Sequence, residues 1–153
     1  MKVLLTSADP SARDITRLAV ASIERRVGER LEFLEAQNGE RGLQLAWRHL
    51  PDVVVADEIA SRAGAFAMAR DLRGATDAFE GVIVILLDRP HDAWLAKWSG
   101  ADAWFVKPVD PFALADRISE LLEGRHAGPG RDVEVVGTRP PAGGFDPAMK
   151  EGM

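Results

Sequence analysis

Pro51-Asp52-Val53-Val54-Val55-Ala56-Asp57-Glu58 decides the fold of this 153-residue chain. Its apolar centre is β-branched and does not alternate with polar residues. That is the pattern of a strand covered on both faces, as in a parallel sheet. Four more short runs surround it: Val3-Leu4-Leu5, Leu31-Glu32-Phe33, Val82 to Leu87 and Trp104-Phe105-Val106. Helix-like stretches separate them. From Ser11 to Val27 the residues Ile15, Leu18, Ala19, Ile23 and Val27 form a helical apolar stripe that Gly28 stops. Leu43, Ala46, Trp47 and Leu50 mark a second helix after Asn38-Gly39, and Met68, Ala69 and Leu72 a third. His91 to Ser99 is a fourth, and Asp110-Pro111 caps a fifth with Leu114, Ala115, Ile118, Leu121 and Leu122 facing inward. Strand and helix alternating five times predict an α/β fold, a doubly wound five-stranded parallel sheet flanked by helices.

Composition narrows the function. The net charge of −5, with 19 basic against 24 acidic residues and no basic run, argues against nucleic acid as the main partner. The absence of Cys removes disulfides, thiolate metal sites and thiol catalysis. The apolar start is too short for a signal peptide or membrane span, so a cytoplasmic protein without membrane insertion is expected. Residues 124–153 hold seven Gly and four Pro, a composition that predicts a flexible tail after a domain over residues 1–123. Within it, Asp132-Val133-Glu134-Val135-Val136 could add a strand or dock on a partner.

In a doubly wound sheet, polar groups at the carboxyl ends of strands meet in one crevice. Here those ends carry Ser7 and Ala8, Asp57, Leu87 and Asp88, and Lys107. His49, His91 and His126 show no metal-ligand spacing. No His or Cys stands near the strand ends to form a nucleophile–base pair, so no enzyme is expected. The loop Thr6 to Ser11 lacks glycine for close approach to a phosphate, which counts against a flavin-binding protein or small α/β enzyme as a remote third reading.

Four segments carry a family resemblance: Ala8-Asp9-Pro10-Ser11-Ala12-Arg13 after the first strand; Pro51 to Asp57; Gly100-Ala101-Asp102-Ala103-Trp104-Phe105-Val106-Lys107-Pro108; and Asp110-Pro111-Phe112-Ala113-Leu114. Across residues 1–123 the chain resembles the receiver domain of bacterial response regulators, whose fold is flavodoxin-like. The resemblance implies a phospho-acceptor at Asp57, a phosphoryl-pairing Lys107 and a switch aromatic at Trp104. In such a site Mg²⁺ and the lysine together neutralise the charge on the transferring group.

The departures from that pattern fall in one direction. The paired acidic residues that hold Mg²⁺ in receivers are here Ser7 and Ala8, and Ala8 offers no ligand. The hydroxyl residue ending the fourth strand is Leu87, and the small residue after it is Asp88, a negative charge beside an incoming phosphate. Asp9, Asp57 and Glu58 are the carboxylates left to rebuild a Mg²⁺ site; no other cofactor is implied. The expectation is a degenerate pseudo-receiver, a stand-alone adaptor of a two-component or phosphorelay pathway that binds another signalling protein in trans. The stretch after Glu123 is too short for an output domain, so a partner acting in trans is expected, and the chain itself is expected to be a monomer or weak homodimer. The alternative is a divergent but competent receiver phosphorylated on Asp57 by a histidine kinase.

Trp94, Trp98 and Trp104 offer the partner face. The first two are four residues apart on one helix, and Trp104 lies on the neighbouring strand. In receivers the fourth helix, fifth strand and fifth helix form the output face, and large aromatics dominate interface hot spots. Each Trp alone is better explained as core; it is the cluster that raises the interface reading to equal standing.

Overall fold

The computed structural model describes residues 1–58 and 64–126. The segment 127–153, with its candidate strand at 132–136, and most of the small-residue loop after Glu58 lie outside the described residues. Five strands form the sheet: β1 (Lys2–Thr6), β2 (Glu32–Ala36), β3 (Val53–Asp57), β4 (Val82–Leu87) and β5 (Ala103–Val106). All pair in parallel, in the order β2-β1-β3-β4-β5. The helices are α1 (Pro10–Ala21), a single turn α2 (Glu24–Val27), α3 (Gly39–His49), α4 (Ala65–Gly74), α5 (Ala93–Ser99) and α6 (Pro111–His126). A 3₁₀ turn, Pro90–Asp92, leads into α5.

The non-alternating strands are buried on both sides, and each side owns one parity of residues. Val3, Leu5, Val53, Val55, Val84, Leu86 and Phe105 meet α1 and α6 on one face. Leu4, Val54, Ala56, Ile83, Ile85, Leu87 and Trp104 meet α3, α4 and α5 on the other. The crossing from β1 outward to β2 and back to β3 creates the switch point that opens the crevice at the strands' carboxyl ends.

One stripe differs from expectation. The Ser11–Val27 stretch is broken at Ser22, whose hydroxyl donates back to the Ala19 carbonyl at 2.8 Å. Thr16, Ala19, Val20 and Ile23 face the core, whereas Ile15 and Leu18 are 67% and 74% exposed. A row of small and β-branched residues seats against the sheet instead of the larger pair. On the flank of α1, Arg13 Nε donates to Glu35 at 2.8 Å, Arg17 also pairs with Glu35, and the Arg17 guanidinium covers Phe33, which ties the helix to β2 in that orientation. Leu50, expected on the apolar face of α3, likewise lies outside that helix as its exposed C-cap.

Arg73 staples the far edge. Its guanidinium donates to the carbonyls of Phe79, Gly81 and Gly100 and to Asp102 Oδ2 at 2.6 Å. One side chain thus ties α4 to the entry of β4, the end of α5 and the start of β5. Gly100 has φ +91°, and a Cβ there would meet Arg73 Cγ at 2.7 Å, which requires glycine at that helix end.

Candidate functional site

Ser7, Asp57 and Lys107 converge at the carboxyl ends of β1, β3 and β5. Asp57 is buried, and each of its carboxylate oxygens is held. The Ser7 hydroxyl donates to Oδ2 at 2.9 Å, and Lys107 Nζ donates to Oδ1 at 2.5 Å. Lys107 also pairs with Asp88 Oδ1 at 3.1 Å. Burial would lower the Lys107 pKa, but the two carboxylates outweigh it and hold the ammonium above its ordinary value. Asp88, the residue that departs toward negative charge, therefore shares the lysine with Asp57.

The sequence left Asp9, Asp57 and Glu58 as carboxylates that could gather around Mg²⁺. The structure disperses them. Asp9 Oδ1 accepts from the Ser11 N–H at 2.9 Å as the N-cap of α1, while its own N–H donates to Ser7 Oγ at 3.1 Å. Glu58 Oε1 turns away to accept from the Asp88 N–H at 2.7 Å. Ala8 is exposed and carries no ligand atom, and Leu87 is fully buried among apolar side chains. Among the described residues no group of three His, Asp or Glu side chains gathers as a metal site. Mg²⁺ requires near-octahedral oxygens built on one or two free carboxylates. Here Asp57 is bonded by a hydroxyl and an ammonium and Asp88 is paired with that same ammonium, so no free carboxylate faces the crevice and the set does not fit the ion.

Glu58 has another partner that the sequence did not reveal. It hydrogen-bonds Asp92, the buried residue preceding α5, and so links the end of β3 to the start of α5. Burial, followed by that bond, raises its pKa to about 7. Asp92 is lowered, first by the Glu58 bond and further by Arg89, whose Nε lies 3.4 Å from Oδ2. The stability consequence has a definite sign. Glu58 in the folded state keeps a proton that the unfolded chain releases near 4.5, so its contribution is complete below that pH and is lost as pH rises through about 7. Allowing for solvent screening, about 1 kcal/mol is expected to disappear between roughly pH 5 and pH 8. Asp92 acts only at the acid end, below its unfolded value of 3.8. Urea midpoints across that range should slope for the wild type and flatten for Glu58→Gln, whose amide can still donate to Asp92.

The three tryptophans separate. Trp94 and Trp98 are 53% and 50% exposed on one side of α5. The Arg70 guanidinium sits 4.7 Å from the Trp98 ring centroid and donates to the Trp98 carbonyl at 3.2 Å. Trp104, expected to join them as a partner-contacting residue, is only 7% exposed. Its place in β5, in register with Ile85, turns the ring beneath Ala93 and Ala96 of α5. The surface face is therefore Trp94 and Trp98, with Trp104 as the core beneath it. The Trp104 indole N–H is buried with no acceptor among the described residues.

No family model matches the chain. It is 32% identical over 92 residues to an uncharacterized response regulatory protein of Mycobacterium tuberculosis, covering 60% of this chain and 68% of that protein. It is 34% identical over 95 residues to protein PilH of Pseudomonas aeruginosa, 61% of this chain and 78% of the relative. Among solved structures, a LuxR-family two-component response regulator from Aurantimonas superposes with TM-score 0.67 at 27% identity, over 80% of this chain and 85% of that one. The receiver domain of the regulator NarL from M. tuberculosis gives TM-score 0.69 at 20% identity, over 81% and 97%, and shows the fold alone. Among the described residues no helix is long and apolar enough to cross a membrane. With the sheet order, the Asp57–Lys107 pair at its crevice and these relatives together, the chain belongs to the response-regulator receiver family.

Proposed function

We propose that this receiver works as a pseudo-receiver, a cytoplasmic adaptor that recognises another signalling protein in trans without waiting for phosphate. One observation carries the reading: both oxygens of Asp57 are already engaged, by Ser7 and by Lys107. In-line attack on phosphorus needs a free carboxylate oxygen and a cation to neutralise the transferred group. Here the nucleophile is tied down by the lysine that would otherwise meet the phosphoryl oxygens. Asp88, salt-bridged to the same lysine, adds repulsion where that group would arrive.

The internal ion pair ties the ends of β3 and β5 together without phosphate. Trp94 and Trp98 then present a fixed aromatic surface on α5, of the residue type most enriched in binding hot spots. Intact-protein mass after incubation with acetyl phosphate and Mg²⁺ tests the proposal. The mass should stay unchanged under conditions that label an ordinary receiver. Gain of one phosphoryl group, lost in Asp57→Asn, would overturn it in favour of a kinase-driven switch.

A further inference from the structure

Arg70 and Arg73 lie one turn apart on α4 and both reach toward α5, yet they are used differently. Arg73 is spent on three carbonyls and Asp102. Arg70 is exposed and makes one hydrogen bond, from Nη1 to the Trp98 carbonyl at 3.2 Å, with its guanidinium 4.7 Å from the Trp98 ring centroid. A guanidinium carries five N–H donors. One is spent on the carbonyl and the ring holds the group in place, which leaves positioned donors for a carboxylate. Among the described residues no carboxylate pairs with Arg70.

The outer side of α5 continues the patch. Trp94, Lys97 and Trp98 are its exposed residues, while Ala93, Ala96 and Ser99 turn inward. Lys97 also has no acidic partner among the described residues. Asp71, the acid next to Arg70 in sequence, is turned about 100° around α4, away from the flank that Arg73 marks as facing α5. Two half-exposed tryptophans and two unpaired cations therefore share one surface, in a chain whose net charge is −5.

We propose that this patch selects an acidic segment of the partner protein, with apolar side chains laid on Trp94 and Trp98 and carboxylates meeting Arg70 and Lys97. The proposal rests on the reading of the two tryptophans as the partner face and adds the partner's chemistry. Charge complementarity carries it: two cations without internal partners discriminate against a basic segment and steer an acidic one. A second copy packed symmetrically through the same patch would set like charges against each other. An anionic membrane offers the right sign, but as a plane that also meets the chain's acidic majority, whereas a segment meets the patch alone.

A displayed library of random peptides, roughly 15 residues long so that a short helix is within reach, is selected on the full chain. Binders lost on Trp94→Ala/Trp98→Ala are sequenced. They should be enriched in Asp and Glu over the starting library and weaken about tenfold or more on Arg70→Glu/Lys97→Glu. Replacing their acids by lysine should restore binding to that charge-reversed variant. Tryptophan-dependent binders with no acidic enrichment, or indifferent to the reversal, would overturn the proposal and leave the tryptophan face standing. Absence of any tryptophan-dependent binder would remove the face and the proposal together. Vesicles of phosphatidylcholine and phosphatidylserine are the second probe. Sedimentation of the wild type with them, lost in Arg70→Glu/Lys97→Glu, would give the patch to a lipid surface and overturn the proposal as well. Neither probe reads phosphorylation, so the state of Asp57 is decided separately by the mass measurement.

Discussion

Trp104→Ala should cost about 3–5 kcal/mol of unfolding free energy, while Trp94→Ala and Trp98→Ala each cost less than about 1 kcal/mol. The three side chains are chemically identical, so the difference isolates position. Trp104 fills the space between β5 and α5 in contact with the apolar cluster of Ile85, Leu87, Ala93 and Ala96, and its loss leaves a cavity the size of an indole. Trp94 and Trp98 lose only half-exposed surface and, for Trp98, one cation–π contact with Arg70. A further sign separates packing from hydrogen bonding. The Trp104 indole N–H is buried with no acceptor among the described residues, so Trp104→Phe should come within about 1 kcal/mol of wild type, because the unsatisfied donor leaves with the lost ring. Urea unfolding followed by circular dichroism, which does not depend on the residue being removed, reads all four variants. Equal costs for the three alanine changes would mean that Trp104 shares the surface, and the two-residue face would be wrong.

That contrast also marks how far the sequence could be read. The non-alternating runs at Val53–Ala56 and Val82–Leu87 revealed the parallel sheet, because residues buried on both faces need no polar partner parity. The crevice followed from topology, since the ends of β1, β3 and β5 can only meet on one edge. What composition could not show was rotation about an element's axis. Ile15 and Leu18 read as an inward stripe, yet they face outward, and the flank of α1 that meets β2 is marked by pairs from Arg13 and Arg17 to Glu35, remote in sequence. Trp104 alone read as core and joined the face only through its nearness to Trp94 and Trp98; its burial in β5 separates it from them. Partners set by long-range contacts were invisible for the same reason. Glu58 looked like a spare ligand until its bond to Asp92 appeared, and Arg73 carried no signal beyond the Gly100-Ala101-Asp102 sequence it binds.

Ser7→Asp is the change that should most alter the crevice. It removes the hydroxyl that donates to Asp57 Oδ2 at 2.9 Å and sets a second carboxylate in its place, in a position only 3% exposed. Lys107 is already shared between Asp57 and Asp88, and Arg13, which donates to the Ser7 carbonyl at 2.6 Å, is already paired with Glu35, so the extra charge has no unshared cation. Like carboxylates this close cannot both ionise at ordinary cost, so stability at neutral pH in the presence of a chelator should fall by about 2–4 kcal/mol. The sign with pH follows: the pair's pKa is raised, so the loss shrinks as the solution is acidified and one proton is taken up. Mg²⁺ should then do for the variant what it does not do for the wild type. Two adjacent carboxylates are the donor set that this ion accepts, and at a hundredfold excess over its dissociation constant it returns about 2.7 kcal/mol. Melting temperature against Mg²⁺ concentration checks both proteins at once. A Mg²⁺-dependent rise in the wild type would show that the crevice already holds the ion and would sink the pseudo-receiver reading. A rise confined to Ser7→Asp would show that the scaffold still places Asp57 correctly for a metal, and that the Ser7 substitution is what removed it. No rise in either would mean that Lys107 and Asp88 alone close the site, which moves the decisive departure from the end of β1 to the end of β4.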